Sequence, residues 1–210
     1  MSFSNHAVFL AIHNLSGRNG FADAIGIFLA EWMPYLLAIA FLALVFMQPG
    51  ARKKFYLFAE GALAVILARG IVTPLIQLFY HEPRPFSFYG FAPLIGESGW
   101  SFPSAHAALF FALLIPVWYA NKKWGWWYLA AAALMAVARV YAGVHWPLDI
   151  VAGAIIGMRI LSKSQNSSSI ADALANPQAT KLIAGGGARL YFLKGREKHS
   201  AAVSARKFRD

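Results

Sequence analysis

Three short stretches of the chain concentrate side chains that can bind an anion or make and break bonds. "EPRPF" (82–86) carries Arg84, "SFPSAH" (101–106) carries Ser104 and His106, and "ARVYAGVHWPLD" (138–149) carries Arg139, His145 and Asp149. An arginine presents a planar fork of N–H donors that matches phosphate oxygens two at a time. Pro103 followed by Ser104 predicts a helix start, with Ser104 as N-cap or first-turn residue. Unpaired backbone N–H groups and the positive end of the helix dipole then face the preceding loop, which makes a site for an anion. His145 and Asp149 stand four residues apart, with Pro147 opening a helix between them, so the carboxylate lies within one turn of the imidazole. A carboxylate that accepts from one ring nitrogen fixes the tautomer and leaves the other nitrogen free to attack. Gly143 supplies the tight turn that returns Arg139 over the same point. Singly these signals are weak: Ser104 can simply cap a helix, and a His-x3-Asp pair can serve stability alone. Together they describe an anion site with an activated histidine nucleophile.

The elements that position these residues are apolar helices. Of 210 residues, 59% are hydrophobic and 13% charged, and the mean hydropathy is +0.51. Such a composition is that of a membrane protein. The chain has no cysteine, which excludes thiol chemistry and disulfides. A net charge of +10 would suit nucleic acid, but the basic residues lie between apolar runs and in the tail rather than along one helix face, so no nucleic-acid partner is expected. Five apolar segments stand out. Residues 24–47 hold one charge, Glu31; 55–79 hold Glu60 and Arg69; 107–121 and 124–138 hold none; 147–161 hold Asp149 and Arg159. The last three are short for a hydrocarbon core of about 30 Å and must draw on their flanks. "AVFLAIHNL" (7–15) is too short to cross and reads as an interfacial helix. The expected fold is an all-α polytopic membrane bundle of five to six helices. With Arg18 as the first basic residue and no small-residue cleavage site after an early apolar core, the first span reads as retained rather than as a secretory leader.

Loop charges give an orientation. Arg52, Lys53 and Lys54 follow the first span, Lys122 and Lys123 follow the third, and Lys163 with eight further Lys or Arg follows the fifth, which marks these sides as cytoplasmic. The connections 80–104 and 139–146 carry one Arg each and face outward, so the reactive stretches converge at the outer face of the cell (inner) membrane. Trp118, Tyr119, Trp124, Trp126, Trp127 and Tyr128 read as an inner aromatic belt; Tyr80, Trp100, Tyr141 and Trp146 read as an outer one.

The ordered combination R-P, P-S-x-H and R-x5-H-x3-D between helices resembles the type-2 phosphatidic acid phosphatase superfamily. Its three motifs correspond to 77–85, 103–106 and 138–149. The resemblance implies that His145 is the nucleophile forming a phosphohistidine, that Asp149 orients it, and that His106 protonates the leaving oxygen. It implies a phosphate clamp of Arg84, Ser104 and Arg139. No metal or other cofactor is implied, since arginines and helix-start amides supply the positive charge. Gln77 stands where the family usually has a Lys, which removes one charge from the phosphate site, and Ala105 stands in place of a Gly. Residues 1–161 are similar to the bacitracin-resistance-type undecaprenyl-diphosphate phosphatases, through "AIHNLSGRNGFAD" (11–23), Glu31 and the "EPRPF" loop. That subfamily implies a long isoprenoid diphosphate as substrate, its tail in the bilayer, cleaved to the monophosphate in the carrier cycle of cell-wall synthesis. Related lipid phosphatases acting on phosphatidylglycerophosphate, phosphatidic acid or lipid A would use the same six residues, and a transporter or binding protein would be expected to have lost one of them.

Among the remaining polar residues, Glu31 is a candidate for the substrate head or its access path, and His81 is a rim residue that can reach phosphate. Glu60 and Arg69 read as structurally paired, and His6, His13 and His199 as incidental. Residues 162–210, opening with the linker-like "SKSQNSSS", read as a basic tail without catalytic residues, attracted to anionic lipid. The oligomeric state has no signal in the sequence.

Overall fold

Short polar side chains set where the apolar runs become helices. Asn19 Oδ1 accepts the Phe21 and Ala22 N–H groups at 2.9 and 3.3 Å, Ser104 caps a later helix through the Ala107 N–H, and Asn121 Oδ1 accepts those of Lys123 and Trp124 at 2.9 and 3.2 Å. The computed structural model describes residues 3–160, and the basic tail assigned to 162–210 lies outside the described residues. In chain order the helices are α1 (Phe3–His13), α2 (Gly20–Met47), α3 (Ala51–Phe79), α4 (Pro85–Tyr89), α5 (Ala105–Ala120), α6 (Lys122–Tyr141) and α7 (147–160). There is no strand among the described residues. α2 and α3, 28 and 29 residues long, are each apolar and long enough to cross a bilayer. α6 begins before the charge-free run and ends after it, and so reaches 20 residues by drawing in its Lys pair and Arg139.

α5 is the core of the bundle. Phe110, Phe111, Leu113, Leu114 and Val117 are buried against Leu37, Phe41 and Leu44 of α2, Leu57 of α3, and Tyr128, Ala132 and Met135 of α6. On its other side α7 comes so close that a Cβ at Gly153 would meet the Ser104 carbonyl oxygen at 2.5 Å and the Ala108 nitrogen at 3.1 Å. Gly157, one turn on, faces the backbone of Ala108 and Ala112 in the same way. In lipid, apolar area gives no drive for helix association, so close backbone approach at small residues must hold such a pair. The outer surface is correspondingly oily: Phe46, Phe55, Leu63, Phe79, Trp126 and Trp127 are exposed.

α2 and α3 each widen into a π-helical stretch, Phe28–Trp32 and Ile66–Val72, and each stretch is followed within two residues by a proline. Pro34 has no N–H to return to Ala30, and the Met33 N–H reaches back five residues to Phe28 instead. The freed Ala30 carbonyl accepts Nη1 of Arg139 at 3.2 Å, which anchors an arginine of α6 onto α2. Glu31 and Arg69, ionisable residues of the two longest apolar runs, both fall in these wide turns.

Three expectations change. The interfacial helix is Phe3–His13, and it docks on the end of the bundle through Phe9, buried against Trp146 and Val140, and through Asn5, which accepts the Leu148 N–H. His6 and His13 are part of that docking, with Nδ1 of each 2.9 Å from the Tyr89 hydroxyl and the Tyr141 carbonyl respectively. Trp146 and Tyr128 leave the aromatic belts for the interior, because Trp146 packs under α1 and gives its indole N–H to Pro83, while Tyr128 joins the core around α5.

Gly153→Val is expected to lower the midpoint of thermal unfolding in detergent, at a cost of about 1–3 kcal/mol from overpacking against α5. Gly20→Ala, where a Cβ meets nothing within 4 Å, is expected to leave the midpoint in place.

Candidate active site

The loop 80–104 and the turn 142–146 meet over the first turn of α5. Gly143, at φ +81°, lets the chain reverse after α6, and its neighbour Val144 exposes the carbonyl that Arg84 Nη1 reaches at 2.8 Å. Arg84 also donates from Nε to Gly99 O at 3.0 Å and from Nη2 to Ser98 O at 2.9 Å, so one guanidinium sets the path of both connections. Its Nη1 lies 3.4 Å from His145 Nε2. A guanidinium can only donate, so Nε2 is the accepting nitrogen and the ring proton sits on Nδ1. Nδ1 in turn faces Asp149 Oδ2 at 3.3 Å. The same oxygen accepts the Ser101 hydroxyl at 2.5 Å and the Trp146 N–H at 2.9 Å. The result is a buried imidazole whose Nε2 lone pair points away from its carboxylate and toward Arg84.

His145 is completely enclosed by protein. Burial first, and then the Arg139 and Arg84 guanidiniums, hold its imidazole well below the ordinary value, so the ring is neutral. His145 lines a polar cavity of about 260 Å³ together with His106, Arg84, Gln77, Arg69 and Glu97. Beside it lies a second cavity of about 720 Å³ between α2, α3 and α5, with Phe41, Leu42, Phe58, Phe110 and Leu113 in its walls. Arg69, Glu97 and His106 line both cavities, so the polar chamber and the apolar groove adjoin at these three side chains.

The predicted site residues are thus mostly brought together, with differences. Asp149 lies within reach of His145 Nδ1, and His106, Arg84 and Gln77 share the chamber of His145. Gln77 gives its amide to the Trp100 and Pro103 carbonyls at 3.4 and 3.3 Å, which ties α3 to the loop before α5. Ser104 is fully buried, and its Oγ accepts the Ala107 N–H at 3.4 Å; it caps α5 and is not among the residues lining the polar cavity. Arg139 lies on the groove side, held by Ala30 O and by an ion pair with Glu97, and its buried Nε has no partner among the described residues. His81 stands outside the cavity, with its ring 4.6 Å from that of Trp100. Glu31 lines the apolar groove and not the chamber. Arg69 forms no ion pair with a described carboxylate, against the expectation of structural pairing.

Two residues of the site escaped the sequence reading. Ser101 opens the stretch "SFPSAH", but nothing local reveals that its hydroxyl meets a carboxylate 48 positions later. Glu97 bridges the two arginines, paired with Arg139 and 3.7 Å from Arg84 Nη2. No cluster of three or more His, Cys, Asp or Glu side chains is placed to hold a metal ion among the described residues.

Residues 58–163 match the PAP2 superfamily. The chain belongs to that superfamily. Its PAP2 relatives include the undecaprenyl-diphosphatase BcrC of Bacillus subtilis (strain 168), 31% identical over 157 residues, which cover 74% of this chain and 80% of that protein. The bacitracin transport permease protein BcrC of Bacillus licheniformis is 32% identical over 162 residues, covering 75% and 78%. Among solved structures, the crystal structure of Aquifex aeolicus LpxE superposes with a TM-score of 0.62 at 26% identity, covering 75% of this chain and 92% of that one. The all-helical membrane architecture and the phosphatase class of this chain follow from that membership.

Ser101→Ala is expected to lower kcat about tenfold with little change in KM, since it loosens Asp149 without touching the chamber, and Ser101→Thr is expected to restore most of the loss. The depressed imidazole also fixes a pH dependence. The neutral ring persists as pH falls through about 6.5, the ordinary histidine value, so kcat/KM is expected to stay flat there and to decline only at lower pH. An acid limb of kcat/KM centred at or above about 6.5 would contradict the assignment.

Proposed function

We propose that this protein is a membrane lipid phosphatase that removes the terminal phosphate of a long-chain isoprenoid diphosphate, converting undecaprenyl diphosphate to undecaprenyl phosphate and inorganic phosphate for reuse as a carrier in cell-wall synthesis. The observation that carries this reading is the pair of adjoining cavities: a polar chamber with His145, His106 and Arg84, which meets at His106 an apolar groove large enough for prenyl units. The undecaprenyl-diphosphatase of Bacillus subtilis among its relatives supports the same substrate.

The terminal phosphoryl group takes the place held by the Glu97 carboxylate between Arg84 and Arg139. His145 Nε2 attacks phosphorus; the N–P bond forms as the bridging P–O bond breaks, and its electron pair departs on the oxygen of the lipid monophosphate. Asp149 Oδ2 accepts from Nδ1 and stabilises the imidazolium that develops, while Ser101 and the Trp146 N–H keep that carboxylate in place. His106, at the mouth of the groove, gives a proton to the leaving oxygen where one is needed and takes one from the water that follows. That water attacks the phosphohistidine, the N–P pair returns to Nε2, and inorganic phosphate is released. The two arginines neutralise charge on the phosphoryl oxygens throughout.

The chamber opens at the end of the bundle formed by 80–104 and 142–146, and the opposite end carries Arg52, Lys53, Lys54, Lys122 and Lys123. By the distribution of basic loops the chamber faces outside the cell membrane. A transport role, suggested by the name of the Bacillus licheniformis relative, fits less well with a chain that retains every bond-making residue.

His145→Ala is expected to reduce phosphate release from undecaprenyl diphosphate by about 10⁴-fold or more while membrane insertion is unchanged. Retained turnover would remove the covalent route. Phosphate release from phosphatidic acid, phosphatidylglycerophosphate or lipid A in preference to the isoprenoid diphosphate would reassign the substrate within the superfamily.

A further inference from the structure

Arg69 is a cation in the wide turn of α3 that the chemistry above leaves unused. An arginine within a membrane-spanning segment is costly unless it is paired or faces a functional cavity. Arg69 has no carboxylate partner among the described residues, and its exposed side chain lines both the polar chamber and the apolar groove. It is also close enough for its charge to act on His106 and Arg139. The residues common to the two cavities are only Arg69, Glu97 and His106. Glu97 is an anion and His106 is the proton donor, which leaves Arg69 as the one arginine or lysine common to both cavities among the described residues.

A lipid diphosphate lying with its tail in the groove and its terminal phosphorus before His145 must pass its inner phosphate through this junction. We propose that Arg69 binds the inner, lipid-linked phosphate and thereby selects diphosphate over monophosphate lipids. In the first step the bridging P–O bond breaks, and the electron pair it leaves behind resides on that inner phosphate. A guanidinium there stabilises the leaving group as its charge grows, so its contribution is larger in the transition state than in the bound substrate. A lipid monophosphate has an alcohol leaving group and nothing for Arg69 to hold. The wide turn, set by Pro74 removing a backbone donor, places this cation, and the Gln77 that replaces the usual Lys supplies none. The positive charge of the site has moved two turns down the same helix, from the terminal phosphate toward the inner one.

The inference rests on the diphosphate reading above, and the test separates the two. Purified full-length protein in detergent is assayed with farnesyl diphosphate and with farnesyl monophosphate, as wild type, Arg69→Gln and Arg69→Lys. For the wild type, kcat/KM is expected to favour the diphosphate. In Arg69→Gln the ratio of the two kcat/KM values is expected to fall about 10- to 100-fold, chiefly through kcat on the diphosphate, with partial recovery in Arg69→Lys. Inhibition gives a second readout that needs no monophosphate turnover: Arg69→Gln is expected to weaken inhibition by inorganic pyrophosphate more than inhibition by inorganic phosphate. An unaltered ratio, or equal losses on both substrates and both inhibitors, overturns the role of Arg69 while leaving the diphosphatase reading intact. A wild type with no preference for the diphosphate overturns both.

Discussion

One oxygen atom, Oδ2 of Asp149, is the point on which the reactive end of this bundle turns. It receives the Ser101 hydroxyl from one connection, the Trp146 N–H from the other, and faces the His145 ring nitrogen, all inside protein. The Asp149 backbone adds to this, since its carbonyl accepts the Ser104 N–H at 3.1 Å just as Ser104 opens α5. A buried carboxylate is tolerable only when such donors replace the water it has lost. The requirement to satisfy that charge therefore joins α5, α7 and both loops, and orientation of the His145 ring is a by-product of the same bonds.

The arginines pose the complementary problem. Arg84 and Arg139 are buried beside apolar helices, where a guanidinium without partners would not stay. Backbone carbonyls of Gly99, Ser98, Val144 and Ala30 take most of the donors, and Glu97 takes the charge. These contacts fix a fork of two guanidiniums that Glu97 fills. Arg139 depends on Ala30, whose carbonyl is free because Pro34 cannot donate to it. A proline in one helix thus decides where a buried arginine of another can rest.

Much of this was readable from local pattern. His145 and Asp149 are four residues apart, Pro103 and Ser104 open a helix, and the apolar runs are long and nearly free of charge. These are short-range relations that backbone geometry carries directly into space. Ser104 shows the limit: its cap is legible, but its absence from the lining of the polar chamber, where the next residue Ala105 stands, is not. Trp146 shows it again, since an aromatic beside an outward loop looks like a membrane anchor until α1 folds over it.

By itself the sequence determined an all-helical membrane chain, the three reactive stretches and the pairing of His145 with Asp149. All of these follow from residue type and spacing within a few turns. The tertiary structure alone decided that Ser101 supports Asp149, that Glu97 fills the arginine fork, and that Arg69 stands where the polar chamber meets the groove. Those relations join residues dozens of positions apart on different helices. Their geometry depends on the closeness of α7 to α5 and on the wide turns of α2 and α3, and helix packing of that kind has no period a single strand of sequence can display.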